Sequence, residues 1–468
     1  MTRFHRCSCA ARVALLFTLA CGSSDAMDLP DAGAPDGGVM DAGAPDAGVP
    51  VPEGPAGLQL RWLLDVFAGE ATLSTDEVSM RFTEAFLGAV GSAEEIVSIL
   101  AQIRDESGPA TLVEVEAAPD GTQLLAVVVY RMGTYGRVAL ATEAAAPNRI
   151  GGLLFADGSD RDPTLDTPEE ASVRLAELAP DTGFLIAELV DGSCAPAAEA
   201  RADAVLAIGS TFKLYVLAAL ADDVQAGTRA FTDVLAIRDD LKSLPSGRLQ
   251  DEPEGTEVTL REHADLMISI SDNTATDHLM FALGRENVER VMVESGHRTP
   301  ARNTPFLNTR ELFVIKLNLD AAAQDAYLAA DVPARRELLQ GYRALEPNTD
   351  VVWVSPRRVE DFEWFADAHD VCAIVAELAA DAEVPATAAV EDVLAINPGI
   401  PDAAGLFSYV GFKGGSEPGV LNLTWLVRRA SDGRAFVVSV GANDPDAPLD
   451  DPALFYVASA IRAQAARL

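Results

Sequence analysis

The sequence predicts a mixed α/β chain of the α+β type, with two folded domains behind an N-terminal leader. Residues 57–157 set three helical patterns ahead of four strand-like runs, the order expected of helices packed on an antiparallel sheet. Residues 158–468 mix apolar helical stretches with β-branched and aromatic strand runs. At 468 residues the chain is long enough to bury two separate cores.

Arg3, His5, Arg6 and Arg12 precede the apolar Val13-Ala14-Leu15-Leu16-Phe17, and Leu19-Ala20-Cys21-Gly22 follows, so residues 1–21 read as a secretory signal. Its ending resembles a bacterial lipoprotein cleavage box. That resemblance implies lipidation of Cys21 and an exported protein, periplasmic or anchored to the outer membrane. From Val13 to Leu60 there is no Lys or Arg, and Asp31-Ala32-Gly33-Ala34-Pro35-Asp36 recurs at Asp41 to Asp46. Such a Pro, Gly, Ala and Asp mixture buries too little apolar surface to offset its chain entropy, so residues 22–56 are expected to form a disordered tether.

In the first domain, Leu58 to Phe67, Val78 to Leu87 and Ala93 to Ile103 have helical spacing. Thr111 to Ala117, Leu124 to Tyr130, Gly136 to Ala141 and Arg149 to Phe155 read as strands, with Glu114, Glu116 and Asp120 on a solvated face and turn. In the second domain, helices are expected over 166–178, 210–222 and 260–295 and from Pro452 onward. Strands are expected at Phe184 to Val190, Ser408 to Phe412, Leu421 to Arg428 and Ala435 to Val440. Trp353, Trp364 and Phe365 read equally well as a cap on a cleft or as core.

Three short motifs carry chemistry. Ser210-Thr211-Phe212-Lys213 opens a nearly all-apolar run that reaches Leu220, so Ser210 is expected at the N-terminus of a buried helix with Lys213 one turn on. There the helix dipole favours an oxyanion at Ser210 and disfavours an ammonium at Lys213, leaving an amine able to take the hydroxyl proton. Ser271-Asp272-Asn273, beginning 61 residues after Ser210, sits between apolar stretches and reads as a tight connection. Its Ser271 hydroxyl can relay a proton, and its Asn273 amide can hold a carbonyl or the lysine. Lys413-Gly414-Gly415 ends an apolar, aromatic stretch and reads as an edge strand whose glycines let a substrate backbone lie against it.

In this order the motifs resemble those of the class A β-lactamases and the wider penicillin-recognising serine hydrolases, and Leu266 to Leu279 is similar to that family's helical core. The resemblance covers roughly residue 165 to the C-terminus. It implies a β-lactamase-like domain over 158–468, with an antiparallel sheet packed by helices. It also implies Ser210 as nucleophile, Lys213 as its base, Ser271 as proton shuttle, Asn273 as a substrate and lysine contact, and Lys413 as anchor for a substrate carboxylate. The backbone N–H groups of Ser210 and Ser416 are the implied oxyanion hole. Arg61-Trp62-Leu63-Leu64 and Gly151-Gly152-Leu153-Leu154-Phe155 resemble the N-terminal domain of two-domain β-lactamase-like proteins from clavulanic-acid gene clusters. This implies a smaller, steroid-isomerase-like α+β domain over 57–157.

Two departures bear on turnover. The class A pattern carries Glu-x-x-Leu-Asn, whose Glu activates the water that clears the acyl-enzyme. The nearest echo here is Thr304-Pro305-Phe306-Leu307-Asn308, unless Asn303-Thr304-Pro305 already starts the next helix and the loop is nearly deleted. Glu294 and Glu311 nearby read as solvated helix residues. Gly414 stands where the family carries a Thr or Ser hydroxyl, with Ser416 as its stand-in. Acylation by β-lactams is therefore expected to outrun deacylation.

The expected function is a serine hydrolase acting on small β-lactam, ester or amide substrates, with no cofactor and no metal. A cell-wall D-alanyl-D-alanine peptidase using the same residues and a non-catalytic ligand-binding protein are the alternatives. A net charge of −37 speaks against nucleic acid as a partner. After residue 21 no stretch approaches the ~20 apolar residues of a membrane span, so membrane contact is expected through the lipid anchor alone. With Cys7 and Cys9 leaving in the signal and Cys21 lipidated, Cys194 and Cys372 read as two separate buried thiols. The five histidines scatter singly, and His263 and His278 read as structural.

Overall fold

The computed structural model describes residues 49–90, 92–107, 109–130, 135–157, 165–243, 245–348, 354–400, 402 and 405–468. The signal, Cys21, most of the expected tether and Trp353 lie outside them. The described residues form two compact units, 49–157 and 165–468.

In the first unit α1 (Pro55–Ala68), α2 (Thr75–Arg81), α3 (Glu84–Val90) and α4 (Ala93–Ser107) precede β1 (Ala110–Ala117), β2 (Gln123–Tyr130), β3 (Tyr135–Thr142) and β4 (Ile150–Asp157). The strands form an antiparallel meander in that order. Leu124, Ala126, Val128, Val138 and Leu140 alternate onto one sheet face and pack with Leu60, Leu63, Val66 and Phe67 of α1. Two expectations fail here. Residues 49–56 are not a free tether: the Val49 N–H donates to Leu112 O at 3.1 Å and the Ala56 N–H to Gly121 O at 2.8 Å. Pro55 starts α1, where its missing N–H has no helical partner to lose. The single helix expected over Val78 to Leu87 is two. Phe82 turns extended and bridges Ile150, and the Thr83 hydroxyl accepts the Phe86 N–H to begin α3.

The second unit begins with α5 (Pro168–Leu178), capped by Thr167 and Glu170, then β5 (Asp181–Val190), β6 (Ser193–Ala200) and β7 (Leu206–Ala207). It continues through α6 (Lys213–Gln225), β8 (Val234–Ala236), β9 (Glu257–Thr259), α7 (Leu260–Ser269), α8 (Asn273–Leu283), α9 (Arg285–Glu294), α10 (Thr309–Asn318), α11 (Ala321–Ala329) and α12 (Val332–Tyr342). The last elements are β10 (Phe365–Ala366), α13 (Ala368–Ala382), α14 (Ala389–Ala395), β11 (Phe407–Glu417), β12 (Val420–Arg429), β13 (Ala435–Asn443) and α15 (Asp451–Gln464). The main sheet is antiparallel throughout, in the order β11-β12-β13-β5-β6, and is packed by helices as expected. Its central strands β12, β13 and β5 are apolar on both faces because helices cover both. Phe184, Ile186, Trp425, Val427, Phe436 and Val438 face α5 and α15, whereas Leu185, Ala187, Leu426 and Val437 face α6, α8 and α13.

The sequence reading misses β6, whose Ser-Cys-Ala-Pro-Ala-Ala-Glu-Ala has no β-branched residue. Pro196 is tolerated because β6 is an edge strand with a register shift against β5. The stretch expected as helix over 260–295 is three helices, broken at Ile270 to Asp272 and at Gly284. Cys194 and Cys372 are not separate thiols: a disulfide ties β6 to α13, which packs against β5 and β6. Cys194→Ala should lower the unfolding free energy by about 2–4 kcal/mol. Urea denaturation of wild type with and without reductant, beside the variant, checks this.

Candidate active site

Ser210 lies in a 3-10 turn, Gly209–Phe212, and the α-helix begins only at Lys213, so the serine precedes α6 instead of opening it. The turn is pinned from three sides. The Ile208 N–H donates to Trp364 O at 2.9 Å, and the Asn443 amide takes the Ala207 N–H at 2.7 Å and donates to Ala207 O at 3.0 Å. The Thr211 hydroxyl donates to Asn422 Oδ1 at 2.9 Å. Trp364 stacks on Phe212 at 3.7 Å and donates its indole N–H to Leu307 O. Trp364 and Phe365 are thus core residues beneath the serine turn, not a cap over a cleft.

The sheet edge meets this turn through two glycines. A Cβ on Gly415 would stand 2.1 Å from Ile208 O and 2.5 Å from Ser210 N, and one on Gly209 would stand 3.0 Å from Ser416 N. Backbone therefore lies against backbone where β11 passes the serine. Gly209 also has a φ of +47°, a left-handed conformation that side chains rarely adopt.

The Lys213 amine is buried and donates to Ser271 O at 2.7 Å, Ser271 Oγ at 3.0 Å and Asn273 Oδ1 at 2.7 Å. Burial pulls its pKa down to about 7, with the charges of Asp272 and Asp277 working the other way. Lys413 reaches the same hydroxyl from β11, donating to Ser271 Oγ at 3.1 Å and Gly414 O at 2.5 Å. Burial, reinforced by Lys213, holds its amine well below the ordinary lysine value. Two amines thus share one hydroxyl oxygen. Ser210 is half-buried. The structure brings together Lys213, Ser271, Asn273 and Lys413 by side chain, and Ser210, Gly415 and Ser416 by backbone.

Ser271 itself sits at φ +58°, and its neighbours over-determine that conformation. Ser246 donates to Ser271 O at 2.8 Å, and Ser246 O takes the Asn273 N–H at 2.9 Å. The buried Asp272 carboxylate accepts from the N–H groups of Arg248 at 2.7 Å, Leu249 at 3.0 Å and Ala275 at 2.8 Å. One turn along α8, Asp277 accepts from the Thr309 and Arg310 N–H groups and holds the start of α10, and burial raises its pKa to about 6. Ser246, Asp277, Asn422 and Asn443 escaped the sequence reading. The available signal at Asn422 was polarity out of place, since it interrupts an apolar strand run, whereas Asn443 merely ends one.

No carboxylate lies in the Thr304–Asn308 stretch. The Thr304 hydroxyl donates to Pro300 O, and Asn308 forms a capping box with Glu311, so the following helix begins at Thr309 and not at 303–305. Glu311 is not solvated: it is buried and ion-paired with Arg285 at 2.6 Å. Glu294 lies exposed beside Arg290. His263 hydrogen-bonds Thr259 O at the cap of α7, and His278 hydrogen-bonds Thr274 O within α8.

Residues 170–346 match the model of the beta-lactamase enzyme family. The matched stretch includes Ser210, Lys213, Ser271 and Asn273 and stops before Lys413. Residues 51–146 match the model described as ORF 12 gene product N-terminal. No curated protein matches. Among solved structures, a β-lactamase from Sphaerobacter thermophilus is similar at 23% identity, over 63% of this chain and 94% of its own, with a TM-score of 0.44. One from Xanthomonas campestris is similar at 18%, over 64% and 97%, with a TM-score of 0.44. A mutant of PBP-A in acyl-enzyme complex with penicillin G is similar at 18%, over 63% and 93%, with a TM-score of 0.44.

Gly415→Ala should destabilise the second unit by about 1–3 kcal/mol, because its methyl meets backbone that cannot yield. Gly414→Ala, whose methyl meets only the side chains of Phe412 and Leu423, should cost less. Thermal denaturation of the two variants compares them.

Proposed function

We propose that the protein is a serine hydrolase working through an acyl-enzyme on Ser210, with small β-lactams, esters or amides as substrates. The observation that carries this reading is the buried Lys213 amine, three residues from Ser210 and hydrogen-bonded to both Ser271 and Asn273. In the acylation step Ser210 Oγ bonds to the substrate carbonyl carbon and its proton passes to neutral Lys213. The N–H groups of Ser210 and Ser416 receive the oxyanion. Collapse breaks the bond to the leaving group, which takes a proton relayed through Ser271, and Asn273 and Lys413 hold the substrate's carbonyl and carboxylate. Water then releases the acid and frees Ser210. The Thr304–Asn308 stretch offers no carboxylate to activate that water, and such general-base help is typically worth roughly 10²–10⁴-fold. β-Lactams should therefore acylate quickly and leave slowly, while esters turn over.

We also read the N-terminal unit as a structural or substrate-shaping domain of the clavulanic-cluster type, a reading to which its match to the ORF 12 N-terminal model lends support. Cys21 is proposed as a lipid anchor, so the full chain should partition into detergent and Cys21→Ser should remain in the aqueous phase.

The direct experiment is intact-mass spectrometry after brief exposure to benzylpenicillin, beside hydrolysis of a p-nitrophenyl ester. A persistent adduct in wild type, absent from Ser210→Ala, is expected. Rapid clearance of the penicillin would mean that another group activates the deacylating water, and neither adduct nor hydrolysis would favour binding without chemistry. Because Lys213 must be neutral to accept the proton, the acylation rate should rise with pH through about 7 and level off above it. Lys213→Arg, which stays charged, should lose roughly 10²–10⁴-fold at every pH.

A further inference from the structure

One buried charged cluster stands beside the site without a role in the chemistry above. Lys316 on α10 is fully buried and donates to Glu363 Oε1 at 2.6 Å and to Glu417 Oε1. The Glu363 side chain is 1% exposed and that of Glu417 11%. Against the burial that lowers it, the two carboxyls hold the Lys316 amine above its ordinary value. Burial, and then Glu363, push the Glu417 carboxyl well up. Burying three ionisable groups is a poor way to gain stability, since desolvation offsets most of the attraction.

Their positions along the chain give the cluster a purpose. Glu417 ends β11, one residue after Ser416 and two after Gly415, on the strand face that Lys413 and Gly415 turn toward Ser271 and Ser210. Glu363 immediately precedes Trp364, whose carbonyl accepts the Ile208 N–H and whose ring stacks on Phe212. Lys316 therefore grips both walls of the oxyanion site, the strand end that carries Ser416 and the segment that backs the Ser210 turn.

We propose that Lys316, with Glu363 and Glu417, is a positioning clamp that sets the separation of the Ser210 and Ser416 N–H groups. The inference rests on the acyl-transfer reading of Ser210. Misplacement of about 1 Å can cost on the order of 10²-fold in rate, so a site made of two N–H groups on separate elements needs such a tie.

The test uses the full chain carrying Glu417→Ala, which leaves Lys316 paired with Glu363, together with Lys316→Met and Lys316→Arg. Two quantities are read for each variant that melts cooperatively. One is the acylation burst with a p-nitrophenyl ester. The other is affinity for phenylboronic acid, whose tetrahedral adduct on a serine places an oxygen where the oxyanion forms. Glu417→Ala and Lys316→Met should slow acylation roughly 10- to 100-fold and weaken the boronate by a similar factor, with the half-saturating ester concentration little changed. Lys316→Arg, which can still bridge both carboxyls, should keep most of the rate. Lower melting temperatures with unchanged burst rate and boronate affinity would assign the cluster to stability alone and overturn the clamp. If Lys316→Met does not fold, Glu417→Ala decides the question. A wild type that never acylates overturns the clamp and the acyl-transfer reading together, whereas a wild type that acylates beside unslowed variants overturns the clamp alone.

Discussion

The Lys213 amine is held out of water at the start of an apolar helix, and much of the second unit is built so that this can persist. A buried amine without partners is strongly unfavourable. Here it meets three acceptors, two of them on Ser271. Those acceptors are in place only because Ser271 adopts a left-handed backbone, a conformation that costs roughly 1–3 kcal/mol and needs support from its surroundings. Asp272 supplies it by binding the backbone of Arg248, Leu249 and Ala275, and Ser246 holds the Ser271 carbonyl. The network that places partners around the buried amine is thus the same one that joins α7 to α8.

The serine side of the site rests on a different constraint, close backbone approach. Gly415 and Gly209 remove the only atoms that would separate β11 from the Ser210 turn. Asn443 and Asn422 reach from β13 and β12 to hold Ala207 and Thr211, so the turn is fixed to the sheet on which Lys413 is carried. Buried asparagines suit this work, because one amide can satisfy both a backbone N–H and a carbonyl in a place where neither meets water.

Much of this was legible in the residues alone. The three motifs came with their elements, since apolar periodicity marks a helix after Ser210, a break at Ser271 and a strand at Lys413. Apart from β6, the strands of the two larger sheets were readable for the same reason. The misses have identifiable causes. Thr83 is a helix cap hidden inside a stretch of continuous helical spacing, so two helices read as one. β6 lacks β-branched residues and is a strand only because β5 offers it an edge. Glu311 looks like any surface glutamate until Arg285 and the Asn308 cap enclose it.

What the chain encodes locally is the type of each element, the face it buries and the chemistry its motifs can offer, because these depend on neighbours within a turn or two. Which distant side chains meet is set elsewhere. Cys194 joins Cys372 across 178 residues, Lys316 takes Glu417 across 101, and Asn443 binds Ala207 across 236. Each meeting depends on strand register and on how helices pack across the sheet, and those are settled by the shape of the whole core and not by any stretch of sequence.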